Sequence, residues 1–169
     1  TTSCACYPSA GFEGFRSLPR SRRSSPAARP WLQAQVLGGG HETSYGHFQG
    51  YVGARRQIEI VNWDAHPDVR ELKQGQAHSG SPFRQAIEDP SGACRRYTVA
   101  GLQPHSVARS HVELVRRHGR ALWADELTRE SIAEVYAGLS SPTLVSFDLD
   151  AVSEAEAPGV SAPAAAGLR

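Results

Sequence analysis

Ile58-Glu59-Ile60-Val61-Asn62-Trp63-Asp64-Ala65-His66-Pro67-Asp68 is the stretch that decides the fold. A short apolar run that ends in a polar cluster reads as a buried strand carrying its chemistry at the carboxyl end. Four other short runs have the same look: Gln35-Val36-Leu37, Tyr97 to Leu102, Ala121 to Ala124 and Thr143 to Asp150. Between them lie segments of helical period. Pro82 to Ile87 opens with Ser81 as N-cap and Pro at the first helical position. Val107, His111, Leu114, Val115 and His118 recur at helical spacing, with Ser106 before them and Gly119 as a stop. Thr128-x-x-Ser131 precedes a stripe of Ile132, Val135, Tyr136 and Leu139, closed by Gly138 and Pro142. Strands and helices in alternation predict βαβ units, hence a parallel sheet covered on both faces. In such sheets ligands bind beyond the carboxyl ends of the strands, so the residues just after each strand carry the functional question.

Composition bounds the answer. The chain has 169 residues, 40% hydrophobic and 21% charged, which is ordinary globular composition and enough for about one domain. No methionine is present, and this reads as a fragment of a longer protein. Residues 1–35 carry five Arg against Glu13, a balance of +4, whereas the rest carries −3. Residues 1–30 read as a disordered or unrelated N-terminal segment, and 31–169 as the partial domain. The Arg- and Ser-rich, acid-poor start shares the composition of transit peptides, but a poorly defined end is the plainer reading. Cys4, Cys6 and Cys94 are odd in number and form no CxxC, so neither a disulfide framework nor a thiolate zinc site is supported. A reducing, cytoplasmic setting fits that usage. No run reaches the roughly 18 apolar residues of a membrane span.

Three strand ends share one kind of polar cluster. Gly38-Gly39-Gly40-His41-Glu42 follows the first, Asp64-Ala65-His66-Pro67-Asp68 the second, and Asp148-Leu149-Asp150 ends the last. If extended geometry persists, Asp64, His66 and Asp68 point to one side, and so do Asp148 and Asp150. Four converging carboxylates without cations could not all stay ionised. A pair of divalent ions resolves the repulsion, and mixed imidazole and carboxylate donors suit Mn²⁺ or a similar first-row ion. Two such ions roughly 3.5–4 Å apart can share a water and acidify it to hydroxide near neutral pH. The triple glycine is followed by neither Gly-Lys-Ser/Thr nor GxGxxG, which argues against a phosphate loop.

The combined blocks resemble the three signatures of the ureohydrolases, which include arginase, agmatinase and formimidoylglutamase. The likeness covers about residues 35–163. It implies a three-layer α/β/α sandwich on a mainly parallel sheet, incomplete in this chain. It further implies two Mn²⁺ ions, one on His41, Asp64, Asp68 and Asp148, the other on Asp64, His66, Asp148 and Asp150. Asp64 and Asp148 would bridge, and no catalytic side chain is implied beyond the water that the metals activate.

Arginases and agmatinases place a proton-shuttling His where this chain has Ser79 in His78-Ser79-Gly80-Ser81-Pro82-Phe83-Arg84-Gln85. That block, Gly101-Leu102-Gln103 and Ala157-Pro158-Gly159-Val160-Ser161-Ala162-Pro163 are similar to formimidoylglutamases. The resemblance therefore implies hydrolysis of N-formimidoyl-L-glutamate to L-glutamate and formamide, a step of histidine degradation. An agmatinase-like guanidino hydrolase releasing urea, with His78 as a displaced shuttle, is the alternative. A catalytically incomplete fragment is the rival from another class. Arg70, two residues after Asp68, is a candidate for the substrate carboxylate. The expected partner is a small molecule, neither nucleic acid nor membrane, and a homo-oligomer is compatible with this.

Overall fold

The computed structural model describes residues 35–168. The expectations for residues 1–30, including Cys4 and Cys6, lie outside the described residues. Four strands form one parallel sheet: β1 (Ile58–Trp63), β2 (Cys94–Leu102), β3 (Gly119–Trp123) and β4 (Thr143–Phe147), in spatial order β3-β2-β1-β4. The helices are α1 (Thr43–Gly53), α2 (Pro82–Ile87), α3 (Arg109–His118) and α4 (Arg129–Ala137).

All six residues of β1 are buried, because it is a central strand with both faces covered. Ile58 and Ile60 join Tyr97, Val99, Leu102 and Leu144 in one core, filled from outside by Phe48 of α1, Phe83 and Ala86 of α2, and Leu114 and Val115 of α3. Val61, Trp63 and Ala100 face the other way, against Val135 of α4. Helices on both faces give the α/β/α layering expected from the alternating pattern. Thr128 and Ser131 form the reciprocal capping box of α4 that their spacing announced.

Gly119 ends α3 and begins β3 without any intervening loop. A Cβ at this position would overlap the Tyr97 carbonyl, so the abrupt turn needs glycine for clearance. The helix itself begins after Ala108, not Ser106; Ser106 belongs to a short 3₁₀ turn, Pro104–Ser106.

Two expectations about the strands are corrected. Gln35-Val36-Leu37 forms no strand: the segment is exposed, with Val36 at 56% and Leu37 at 93%, and it pairs with no strand among the described residues. A short apolar run becomes a strand only with a neighbour to take its backbone hydrogen bonds. Thr143 to Asp150 is strand only as far as Phe147; Leu149–Ala151 is a 3₁₀ turn, and the Asp148 carboxylate accepts the Asp150 N–H at 3.1 Å. A whole helix, α1, stands where no element was expected.

From β1 the chain steps outward to β2 and β3, then returns to place β4 on the opposite side of β1. The direction of winding thus reverses between β1 and β4. Loops leaving the carboxyl ends of two such strands diverge and open a crevice, the usual ligand position in this architecture.

Candidate metal centre

The polar residues of the three blocks gather at the carboxyl ends of β1 and β4. The six residues His41, Asp64, His66, Asp68, Asp148 and Asp150 come together, but not by strand alternation. β1 ends at Trp63, and Asp68 takes a left-handed backbone with φ of 45°. Asp tolerates that region better than most residues. The turn is locked from outside: Phe83 N–H donates to the Asp68 carbonyl at 3.1 Å, Arg70 N–H to Gly80 at 2.8 Å, and the Tyr97 hydroxyl to Pro67 at 2.7 Å. This turn, and not an extended strand, directs the Asp68 carboxylate at His41.

Asp64 is the centre of the cluster. It is 1% exposed and shares two groups whose donor atoms lie within 4.8 Å of one another: His41, Asp64 and Asp68, and Asp64, His66 and Asp150. Asn62 Nδ2 donates to Asp64 Oδ2 at 3.0 Å, and the His66 N–H to Oδ1 at 2.7 Å. Asn62 is held in turn by donating to the Tyr97 hydroxyl at 3.2 Å.

His41 Nδ1 tests whether a cation fits. It is buried and faces Asp68 at 2.8 Å, Asp64 at 3.1 Å and Asp148 at 3.3 Å, yet none of these oxygens sits well enough for a hydrogen bond from it. An imidazole nitrogen and three carboxylate oxygens aimed at one locality become, once the imidazole is deprotonated, a donor set for a hard to borderline divalent ion. The second group is similar, with His66 Nδ1 at 3.0 Å from Asp150 and 3.4 Å from Asp64.

In the bare protein protons take over the role of cations. Burial opposes charge on His41, but Asp148, Asp64 and Asp68 raise its pKa to about 12. Asp150, then Asp64, raise that of His66 to about 10 against burial. Burial pushes Asp68 up to about 6, with the Asp64 charge adding to it and His41 opposing. Burial also raises Asp150. Burial would raise Asp64 as well, but His41 and His66 together hold it below the usual carboxylate range. Asp148 is lowered chiefly by His41.

His78 lies apart from the cluster. Its Nδ1 accepts the Gly80 N–H at 3.1 Å, so the ring proton resides on Nε2, which donates to the Glu71 carbonyl at 3.0 Å. Both nitrogens are committed to the loop. Ser79 is exposed. Arg70 is exposed as well and lines an open groove with Tyr45, Glu71, Arg84, Gln85 and Asp89, none of them a member of the cluster. A second cleft opens at the amino ends of the strands around Glu59, whose carboxylate is already matched by Arg96 at 2.7 Å and Ser140 at 2.9 Å. That arrangement ties the strands to the α4 loop and leaves the Glu59 carboxylate fully engaged.

The profile of the Arginase family matches residues 24–169. The chain belongs to the arginase family. A formimidoylglutamase from a Geobacillus species is 34% identical over 143 residues, covering 79% of this chain and 43% of that protein. The formimidoylglutamase of Rhodococcus jostii is 40% identical over 147 residues, covering 79% and 45%. Among solved structures, Trypanosoma cruzi formiminoglutamase with Mn²⁺ superposes with a TM-score of 0.72 at 32% identity, covering 78% of this chain and 46% of that one. This arginase-family chain therefore spans a little under half the length of the relatives it matches. No helix among its described residues is long and apolar enough to cross a membrane.

Proposed function

We propose that this chain carries the metal centre of a formimidoylglutamase, and that the full-length protein hydrolyses N-formimidoyl-L-glutamate to L-glutamate and formamide. The observation that carries the reading is the buried His41 Nδ1 facing three carboxylates with no hydrogen bond from it. His41, Asp64, Asp68 and Asp148 would hold one Mn²⁺, and Asp64, His66, Asp148 and Asp150 the other. Such an ion pair, when bound, supplies Lewis acidity and a water acidified to a pKa of about 7. The protein's own contribution is to hold the donors in place before substrate arrives. Asp64 spans both groups because Asn62 and the His66 N–H fix its two oxygens. Expulsion of the glutamate amine requires a proton, which Ser79 does not supply as an imidazole would. The commitment of both His78 nitrogens to the loop favours a substrate that needs no shuttle there. The full-length protein loaded with Mn²⁺ should release formamide from formimidoylglutamate; a metal-loaded protein that releases none would reject the substrate assignment.

Metal binding should strengthen as pH rises. Protons and cations compete for the same atoms, and the raised pKa values of His41 and His66 keep the bare site protonated near neutrality, while Asp68 at about 6 gives up its proton at the lower end of the range. Each proton displaced contributes about a tenfold gain in affinity per pH unit. Mn²⁺ titration from pH 6 to 8 should show this rise, with acid released into a weak buffer. An affinity that stayed flat over that range would contradict the ligand assignment.

Arg70 is proposed to receive a carboxylate of the substrate through its planar fork. In the full-length protein Arg70→Lys keeps the charge and loses the fork, so KM for formimidoylglutamate should rise more than kcat falls. An unchanged KM would remove Arg70 from the site.

A further inference from the structure

We infer that Ser146 is a positioning residue that fixes the tautomer and orientation of His41, with Ser44 completing the relay. The inference rests on the metal-centre reading above. His41 Nε2 lies 2.8 Å from Ser146 Oγ, and Ser146 Oγ lies 3.2 Å from Ser44 Oγ. A neutral imidazole has one N–H and one lone pair. If Nδ1 is to present its lone pair toward Asp64, Asp68 and Asp148, the proton must sit on Nε2. Nε2–H then donates to Ser146 Oγ, which is held in turn by a hydrogen bond shared with Ser44 Oγ.

The local backbone makes this tether matter. His41 follows Gly38 and Gly39, which are exposed and adopt φ of 84° and 87°. Such a glycine loop restrains its successor weakly. What holds the ring is contact from elsewhere: Phe83 meets it edge-on, with centroids 5.2 Å apart at 85°, and Ser146 on β4 holds the outer nitrogen. Ser146 is two residues before Asp148, so β4 places one side chain on the back of the His41 ring and the turn that follows places another at its front. Partners on the remote nitrogen of a metal-binding His set its tautomer and basicity, and their loss typically weakens metal binding about 10–100-fold.

Ser146→Thr and Ser146→Val test this in the 169-residue chain. The two replacements have nearly the same shape and differ in the hydroxyl, so any cost of branching on β4 is common to both. Mn²⁺ binding is followed by electron paramagnetic resonance titration, and folding by circular dichroism. The expected result is that Thr keeps both Mn²⁺ affinities within about threefold of the parent, while Val weakens one of the two by about 10–100-fold and spares the other. Equal affinities in the Thr and Val variants would overturn the role of Ser146 and leave the metal centre standing. Equal weakening of both ions in Val alone would overturn it too, since His41 belongs to one group only. A parent chain that binds no Mn²⁺ would overturn the metal-centre reading itself, and this inference with it.

Discussion

Asp64→Ala is expected to abolish Mn²⁺ binding at both positions, whereas Asp150→Ala should remove only one ion. The asymmetry follows from position. Asp64 is a member of both donor groups, while Asp150 belongs to the group containing His66. Asp64 is also the most deeply buried of the four carboxylates, with its oxygens fixed by Asn62 and the His66 N–H. The turn that follows is held by hydrogen bonds from Phe83, Arg70 and Tyr97. Asp148→Ala should also remove both ions if, as proposed, Asp148 is the second bridge. Loss of folding is a separable outcome: Asp64→Asn keeps the shape and the Asn62 contact region while removing the charge. Equilibrium dialysis with metal analysis reads the stoichiometry. Full stoichiometry in Asp64→Ala would show that the bridging role is wrong.

The second large effect concerns substrate choice. In the full-length protein, formimidoylglutamate should be hydrolysed with release of formamide, while agmatine and arginine should be turned over on the order of 10²–10⁴-fold less efficiently, the range of a positioned proton donor. Guanidine cleavage must protonate a very basic leaving group, which an imidazole near its own pKa assists and a serine does not. By the resemblance to arginases and agmatinases, Ser79 is proposed to take the position of that imidazole. His78, one residue earlier, accepts from Gly80 and donates to Glu71, so recruiting it would break two loop contacts. Parallel assays of formamide and urea decide between the substrates. Urea release faster than formamide release, and lost in His78→Ala, would reverse the choice and leave the metal centre intact.

Much of this was legible in the residues because the signals are local. β1 announced itself as an apolar run ending in polar residues, and α4 through its capping box and apolar stripe. The strand-end rule pointed to these six residues, although the extended alternation and the strand before His41 that it leaned on do not form. Where the outcome depends on partners distant in sequence, the residues were silent. Val36 and Leu37 are apolar enough for a strand but find no neighbour among the described residues. The left-handed Asp68 is set by Phe83 and Tyr97, and nothing in Asp-x-His-x-Asp reveals that.

Helix α1 is a different kind of omission. Tyr45, Phe48, Tyr51 and Val52 recur at three- and four-residue intervals, which was an available helical signal. Gly46, Gly50 and Gly53 obscured it, since each lowers intrinsic helix preference by about 1 kcal/mol relative to Ala. Burial of Phe48 under β1 and the stacking of Tyr45 on Phe48 offset that cost. Asn62, Tyr97 and Ser146 were missed as supporting residues for the same physical reason. Their roles come from hydrogen bonds to groups far along the chain, and a buried Asn or Tyr in a strand looks like ordinary core.

Anomalous scattering at the manganese edge, from crystals of the chain soaked in Mn²⁺, tests the central claim most directly. The account predicts two peaks: one within bonding reach of His41 Nδ1 and Asp68, the other of His66 Nδ1 and Asp150, with Asp64 reaching both. A single peak, or peaks away from these residues at saturating Mn²⁺, would contradict it.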